Sequence, residues 1–215
     1  ASHQLYWAIK ECCPHLPQDV VWSLVTADYE KGVRVAQAYQ EMVSNPDDEA
    51  VRAAYDAFMT LTDQHFDLIT GAMGIQVDFV DQAEPYDSAA AMAMDLILGN
   101  HLYIATICIW PDSYHPVLGN ERGGQYDRFR AVHDAFGHVA IGVGFDRHGE
   151  YASWLFHALV CGNEVPCSAV SSELHGINST LWVTGRMPKA KAGILPADLR
   201  NPSQDCNQFG FLAKV

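Results

Sequence analysis

The sequence predicts a mainly α protein, a helical single domain with a small two-stranded β element. Three observations lead there. Apolar residues recur at helical spacing in both halves of the chain, only two short runs carry the signature of strands, and 215 residues at 49% hydrophobic composition suffice for one core. Residues 1–215 are therefore expected to form one domain.

From Asp19 to Met42 the apolar positions Val20, Val21, Leu24, Val25, Tyr29, Val33, Ala36 and Tyr39 mark an amphipathic helix. Ser44-Asn45-Pro46-Asp47-Asp48 breaks it and supplies a cap, a first-turn proline and carboxylates suited to a helix N-terminus. A second long helix is expected from about Asp47 to Ala72, antiparallel to the first, with Tyr55, Phe58, Met59 and Phe66 in the core.

Ile75 to Val80 alternates apolar and polar residues after Gly74 and reads as a half-buried strand. Ser88 is placed to cap a short helix ending near Leu98. His101 to Trp110, rich in β-branched and aromatic residues, reads as a second strand that could pair with the first. Glycines and prolines make Pro111 to Gln125 a loop. Helices are expected again near 126–142, 148–161 and 167–176, and the proline-containing tail after Gly185 as an extended wrap over the body.

The formal charge of −13, from 26 acidic and 13 basic side chains, disfavours nucleic acid and anionic membranes as partners. No apolar stretch approaches the roughly 20 residues of a membrane span. Ala1-Ser2-His3-Gln4-Leu5 lacks the regions of a signal peptide, and six irregularly spaced cysteines read as reduced thiols. A cytoplasmic location is expected on these grounds. Cys12-Cys13 and the Cys161/Cys167 pair are the alternatives for redox or metal chemistry.

Ten histidines are present, and His133, His138, His148, His157 and His175 fall together with Asp134, Glu150 and Glu173. Imidazole and carboxylate donors suit first-row metals. His133 and His138 stand at i, i+5, about 140° apart on a regular α-helix, whereas Asp134 and His138 share a face. Gly137 lowers helix stability there and would permit a π-type distortion. The backbone near Gly137 is therefore expected to be distorted or ending.

His133-Asp134-Ala135-Phe136-Gly137-His138-Val139 resembles the His-Glu-x-x-Gly-His-Val iron-binding segment of the pterin-dependent aromatic amino acid hydroxylases. That resemblance implies a 2-His-1-carboxylate iron site completed by a downstream glutamate, for which Glu173 is the nearest match. Asp134 stands where the hydroxylases carry glutamate, so pterin use and an aromatic amino acid substrate are not carried over. Phe129-Arg130-Ala131-Val132-His133-Asp134, Gly149-Glu150, His157 and Glu173 to Asn178 also resemble, in order, the motifs of an uncharacterised bacterial and phage metalloprotein family.

The expected function is a mononuclear non-haem Fe(II) oxygenase acting with O2 on a small molecule. His133, His138 and Glu173 are the expected ligands. Asp134, Glu150 and His157 are the catalytic candidates, with Glu150 the rival third ligand, and Arg130, His175 and Asn178 are the substrate candidates. Zn(II) with Asp134 or Glu150 as general base, or a di-iron centre, would use the same residues. A helical binding module with structural histidines is the non-enzymatic reading. His148, at the turn Asp146-Arg147-His148-Gly149, is expected outside the site.

Overall fold

In the computed structural model, which describes residues 2–13, 16 and 20–202, helices are built around one central rod. That rod is α6, Arg147–Val160, whose residues from Tyr151 to Ala158 are all buried. A helix apolar on every side belongs inside a protein rather than on its surface. Asp146 starts it, its carboxylate accepting from the His148 and Gly149 amides.

The other helices are α1 (Ser2–Cys12), α2 (Tyr29–Glu41), α3 (Glu49–Asp67), α4 (Ala89–Met94), α5 (Gln125–Val132), α7 (Glu164–Val170), α8 (Ile177–Thr184) and the short α9 (Ala197–Arg200), of which α7 and α8 pack directly on α6. The mainly α class holds, and no helix among the described residues is long and apolar enough to cross a membrane. β1 (Gln76–Val80) and β2 (His101–Ala105) form a parallel two-stranded sheet, in register from Gln76 opposite His101 to Val80 opposite Ala105. Parallel strands need a crossover, which α4 supplies after Ser88 caps it as expected, its Oγ accepting from the Ala91 amide.

Four elements differ from expectation, each for a local reason. The position Asp19 lies outside the described residues, and no continuous helix runs from Val20. A single 3-10 turn at Trp22–Leu24 precedes α2, which starts only where the Asp28 carboxylate accepts from the Lys31 amide. Val21 and Leu24 are exposed, so the apolar spacing before Asp28 is not a buried stripe. The expected antiparallel pair of α2 and α3 does not form: α2 packs on α8, and α3 on α5 and α7.

β2 ends at Ala105 rather than Trp110. There the buried Asp127 carboxylate accepts from the Thr106 hydroxyl and the Ile107 amide, both at 2.7 Å, and draws the chain into turns. The last long helix is longer than expected. Asn163 caps it at Val165, Pro166 occupies its first turn, and it continues from Glu164 through a π-helical stretch at Ser171–Gly176 to Thr184.

The tail lies over the body from Gly185 as far as Pro202, and residues 203–215 of the expected wrap lie outside the described residues. Lys191 donates from Nζ to the carbonyls of Tyr39, Gln40 and Met42, three acceptors left open at the end of α2. The Ala192 and Leu195 amides reach the hydroxyls of Ser44 and Ser172. Cys12, Cys13, Cys108, Cys161 and Cys167 are free thiols, and Cys206 lies outside the described residues.

Candidate metal centre

α5 does not continue as an α-helix beyond Val132. From His133 to Ala140 the backbone is π-helical, and its i→i+5 hydrogen bonding turns residues five apart onto one face. The spacing that separates His133 from His138 on a regular helix therefore brings them together, with Nε2 of one 3.0 Å from Nε2 of the other. Two nitrogens bound about 2.1 Å from one ion at a right angle would stand about 3.0 Å apart.

Gly137 is the residue that lets this turn sit against α6. A Cβ there would run into Ser153 Oγ, and it would lie 2.8 Å from His157 Nε2 and 3.2 Å from His133 Nδ1. α6 supplies Glu150, Ser153 and His157 along the face packed against the π-helical turn.

Glu150 straddles the two imidazoles. Its Oε2 is 3.6 Å from His133 Nε2 and its Oε1 is 3.5 Å from His138 Nε2. Asp134 joins them: the donor atoms of His133, Asp134 and His138 all lie within 4.8 Å of one another, a group that could hold a metal ion.

Burial alone would raise the Glu150 carboxyl, yet hydrogen bonds and charge from His133 and His138 hold it well below the usual carboxylate range. His138 is pulled down by burial but more strongly pushed up by Glu150 and Asp134, for a net rise. Asp134 is raised by burial against the pull of the two histidines and Arg130.

The residues behind the cluster set ring orientation. Ser153 Oγ lies 3.2 Å from His133 Nδ1, so His133 is held through the nitrogen that faces away from His138. Asn178 on α8 donates to Glu150 Oε2 at 2.8 Å. Phe145 packs edge-on to His138, with ring centroids 5.0 Å apart. His157 stacks on His133, and burial drives its pKa well below the ordinary value.

Several expected roles therefore move. The donor group of His133, Asp134 and His138 includes neither glutamate, but only Glu150 comes within 3.6 Å of both imidazoles among the ion pairs of the described residues. Glu173 is buried among other partners, its Oε1 accepting from the Tyr55 hydroxyl at 2.5 Å and from His115 Nε2 at 3.1 Å. His115 is set for this, because its Nδ1 accepts from the Val117 and Leu118 amides and the ring hydrogen is left on Nε2. The place beside the histidine pair belongs to Glu150, the rival carboxylate.

Arg130 donates to the Ala105 carbonyl and covers the Trp110 ring. Asn178 is tied to Glu150. Of the three substrate candidates, His175 and Asn178 line a cavity of about 120 Å³ that also borders Glu150. His148 stays outside, accepting from the Ala27 amide. Ser153 and His115 carried no local signal, although Ser153 stands one turn from both Glu150 and His157 on α6.

Neither a family model, nor a curated protein, nor a solved structure matches this chain.

Proposed function

We propose that the chain is a mononuclear non-haem Fe(II) oxygenase acting on a small molecule, with His133, His138 and Glu150 as the 2-His-1-carboxylate ligands. The observation that carries this reading is the 3.0 Å separation of the two Nε2 atoms under a carboxylate that reaches both. Two imidazoles and one carboxylate on one side of an ion, with positions left open, suit Fe(II) in oxygenases. Bound iron would supply the activation of O2. The chain's own part is to fix the donors: Ser153 and Asn178 orient His133 and Glu150, and Gly137 admits the close approach of α6. Asp134, a raised carboxyl beside both histidines, is the group placed to accept or return a proton. The resemblance of the His133–His138 segment to the hydroxylase iron site agrees with this reading.

Asp134 also favours a second reading, a Zn(II) hydrolase, because it is a carboxylate additional to the three ligands and could serve as the base for water.

Metal analysis of tag-free protein, together with an oxygen electrode, tests these readings. About one iron per chain, O2 uptake on addition of Fe(II), and loss of both in His133→Ala and His138→Ala are expected. Tightly held zinc without O2 uptake would establish the hydrolase, two irons a di-iron centre. No retained metal, with both variants as stable as the parent, would overturn the metal reading.

A further inference from the structure

The cavity beside Glu150 lies between the start of α2, the first turns of α6 and α8. Two carboxylates line it, and both are committed. Asp28 caps α2 through the Lys31 amide, and Glu150 is held by the histidine pair and Asn178. The cation on its wall is not committed in the same way. Arg147 spends one donor on the Ala27 carbonyl at 3.2 Å and lies over the Tyr29 ring at 5.1 Å, and among the described residues no carboxylate lies within ion-pair distance of it. A guanidinium has five donors in a planar fork that matches a carboxylate. In a chain of charge −13, a small anion would have to be held by such a local cation.

The other walls are aromatic or neutral. Tyr29 and Trp182, 64% and 48% exposed, line the cavity as large apolar side chains left open to solvent. At its inner side His175 lies flat on Trp154, with ring centroids 3.9 Å apart, and its buried Nε2 has no hydrogen-bond partner. Burial brings that ring to a pKa of about 3, so it is a neutral polar group at ordinary pH. A cavity of about 120 Å³ is of the size that takes a single six-membered ring, since an apolar cavity of about 150 Å³ binds benzene.

We propose that this cavity is the substrate chamber of the Glu150 site and takes a small aromatic carboxylate, with the carboxylate on Arg147 and the ring between Tyr29 and Trp182. As a substrate chamber it rests on the metal reading; as a binding site it does not.

The test uses benzoate and its uncharged isostere benzamide as probes, in ligand-observed NMR titrations of the full chain with and without added Fe(II). Benzoate is expected to bind at least about tenfold more tightly than benzamide with or without metal. Arg147→Gln should abolish the preference, Arg147→Lys should keep part of it, and Trp182→Ala should weaken both probes alike. Equal binding of the two probes, no binding of either, or an undiminished preference in Arg147→Gln overturns the proposal. Melting curves accompany each variant. Should Arg147→Gln not fold, the comparison of probes on the parent chain and on Arg147→Lys decides. If iron binds and benzoate does not, the chamber fails alone. If benzoate binds through Arg147 and no metal does, the metal reading fails alone.

Discussion

Asn178 holds Glu150. The side-chain amide on α8 donates to Oε2 at 2.8 Å, so the carboxylate that faces His133 and His138 is aimed from a helix that supplies none of the proposed metal ligands. Groups that orient a ligand typically govern 10- to 100-fold in metal affinity. Asn178→Ala should therefore weaken metal binding by about that factor while leaving the melting temperature of the metal-free protein nearly unchanged. Calorimetric titration with Fe(II) or Zn(II) on both forms measures it, and an unchanged affinity would mean Glu150 needs no such support.

Glu150 and Glu173 should separate cleanly. Glu150→Gln removes the carboxylate that reaches both imidazoles and is expected to cost most of the metal affinity. Glu173→Ala should leave metal affinity within a few-fold but leave the His115 Nε2 hydrogen without an acceptor in a buried space, while the Tyr55 hydroxyl keeps the Lys191 carbonyl, costing about 1–3 kcal/mol of stability. Denaturant titration alongside metal titration reads both quantities, and a large metal defect in Glu173→Ala would return it to the ligand set.

Gly137 allows no larger side chain. Gly137→Ala places a methyl group into Ser153 Oγ and close to His157 Nε2, so either the π-helical turn or α6 must move. Overpacking of this kind costs about 1–3 kcal/mol, and metal affinity should fall with it. Ser153→Ala in the same chain removes the hydroxyl and should recover part of the lost stability, measurable by urea unfolding, but not the metal affinity, because Ser153 Oγ also holds His133.

His65 and His175 make the protein acid-sensitive in a defined window. Burial lowers their folded pKa values to about 4 and about 3, from an ordinary 6.5. In the unfolded chain these rings take up protons first, so stability is unaffected above about pH 7 and is lost as pH falls from 6.5 toward 4 and 3. At about 1.4 kcal/mol per unit, the windows correspond to on the order of 3 kcal/mol for His65 and 5 kcal/mol for His175. His101 runs the other way. Burial opposes its charge, but Asp95 and Asp78 raise its pKa, and the support it gives is present below pH 6.5 and lost as pH rises through the raised value. That pair is partly exposed and should contribute little. Urea midpoints from pH 8 to 4 should drop on the acid side, and His65→Gln should flatten the drop.

The histidine pair and its distorted backbone were legible in the residues, because i, i+5 spacing over a glycine is incompatible with a regular helix that brings the two rings together. Which glutamate completes the group was not. Glu173 and Glu150 differ in where their helices pack. Glu173 is claimed by Tyr55, 118 positions earlier, and by His115, 58 positions earlier, neither within reach of a local pattern. The failed pairing of α2 with α3 has the same origin. A periodic apolar face announces that it will be buried and is silent about its partner, which for α2 is α8. Strand β2 read too long because Thr106 and Ile107 are drawn off by Asp127, a residue from a different element.

The ammonium of Lys191 on the last carbonyls of α2 joins positions 152 apart in sequence. At ribosomal speeds of about 5–20 residues per second, the end of α2 leaves the ribosome roughly 8–30 s before the side chain that closes it. α8, on which α2 packs, also comes late. The nascent chain must therefore carry the apolar face of α2, with Val35 and Tyr39, without its final cover through most of synthesis. Non-local closure of this kind slows folding, and it makes the last quarter of the chain the gatekeeper of the native state for the first.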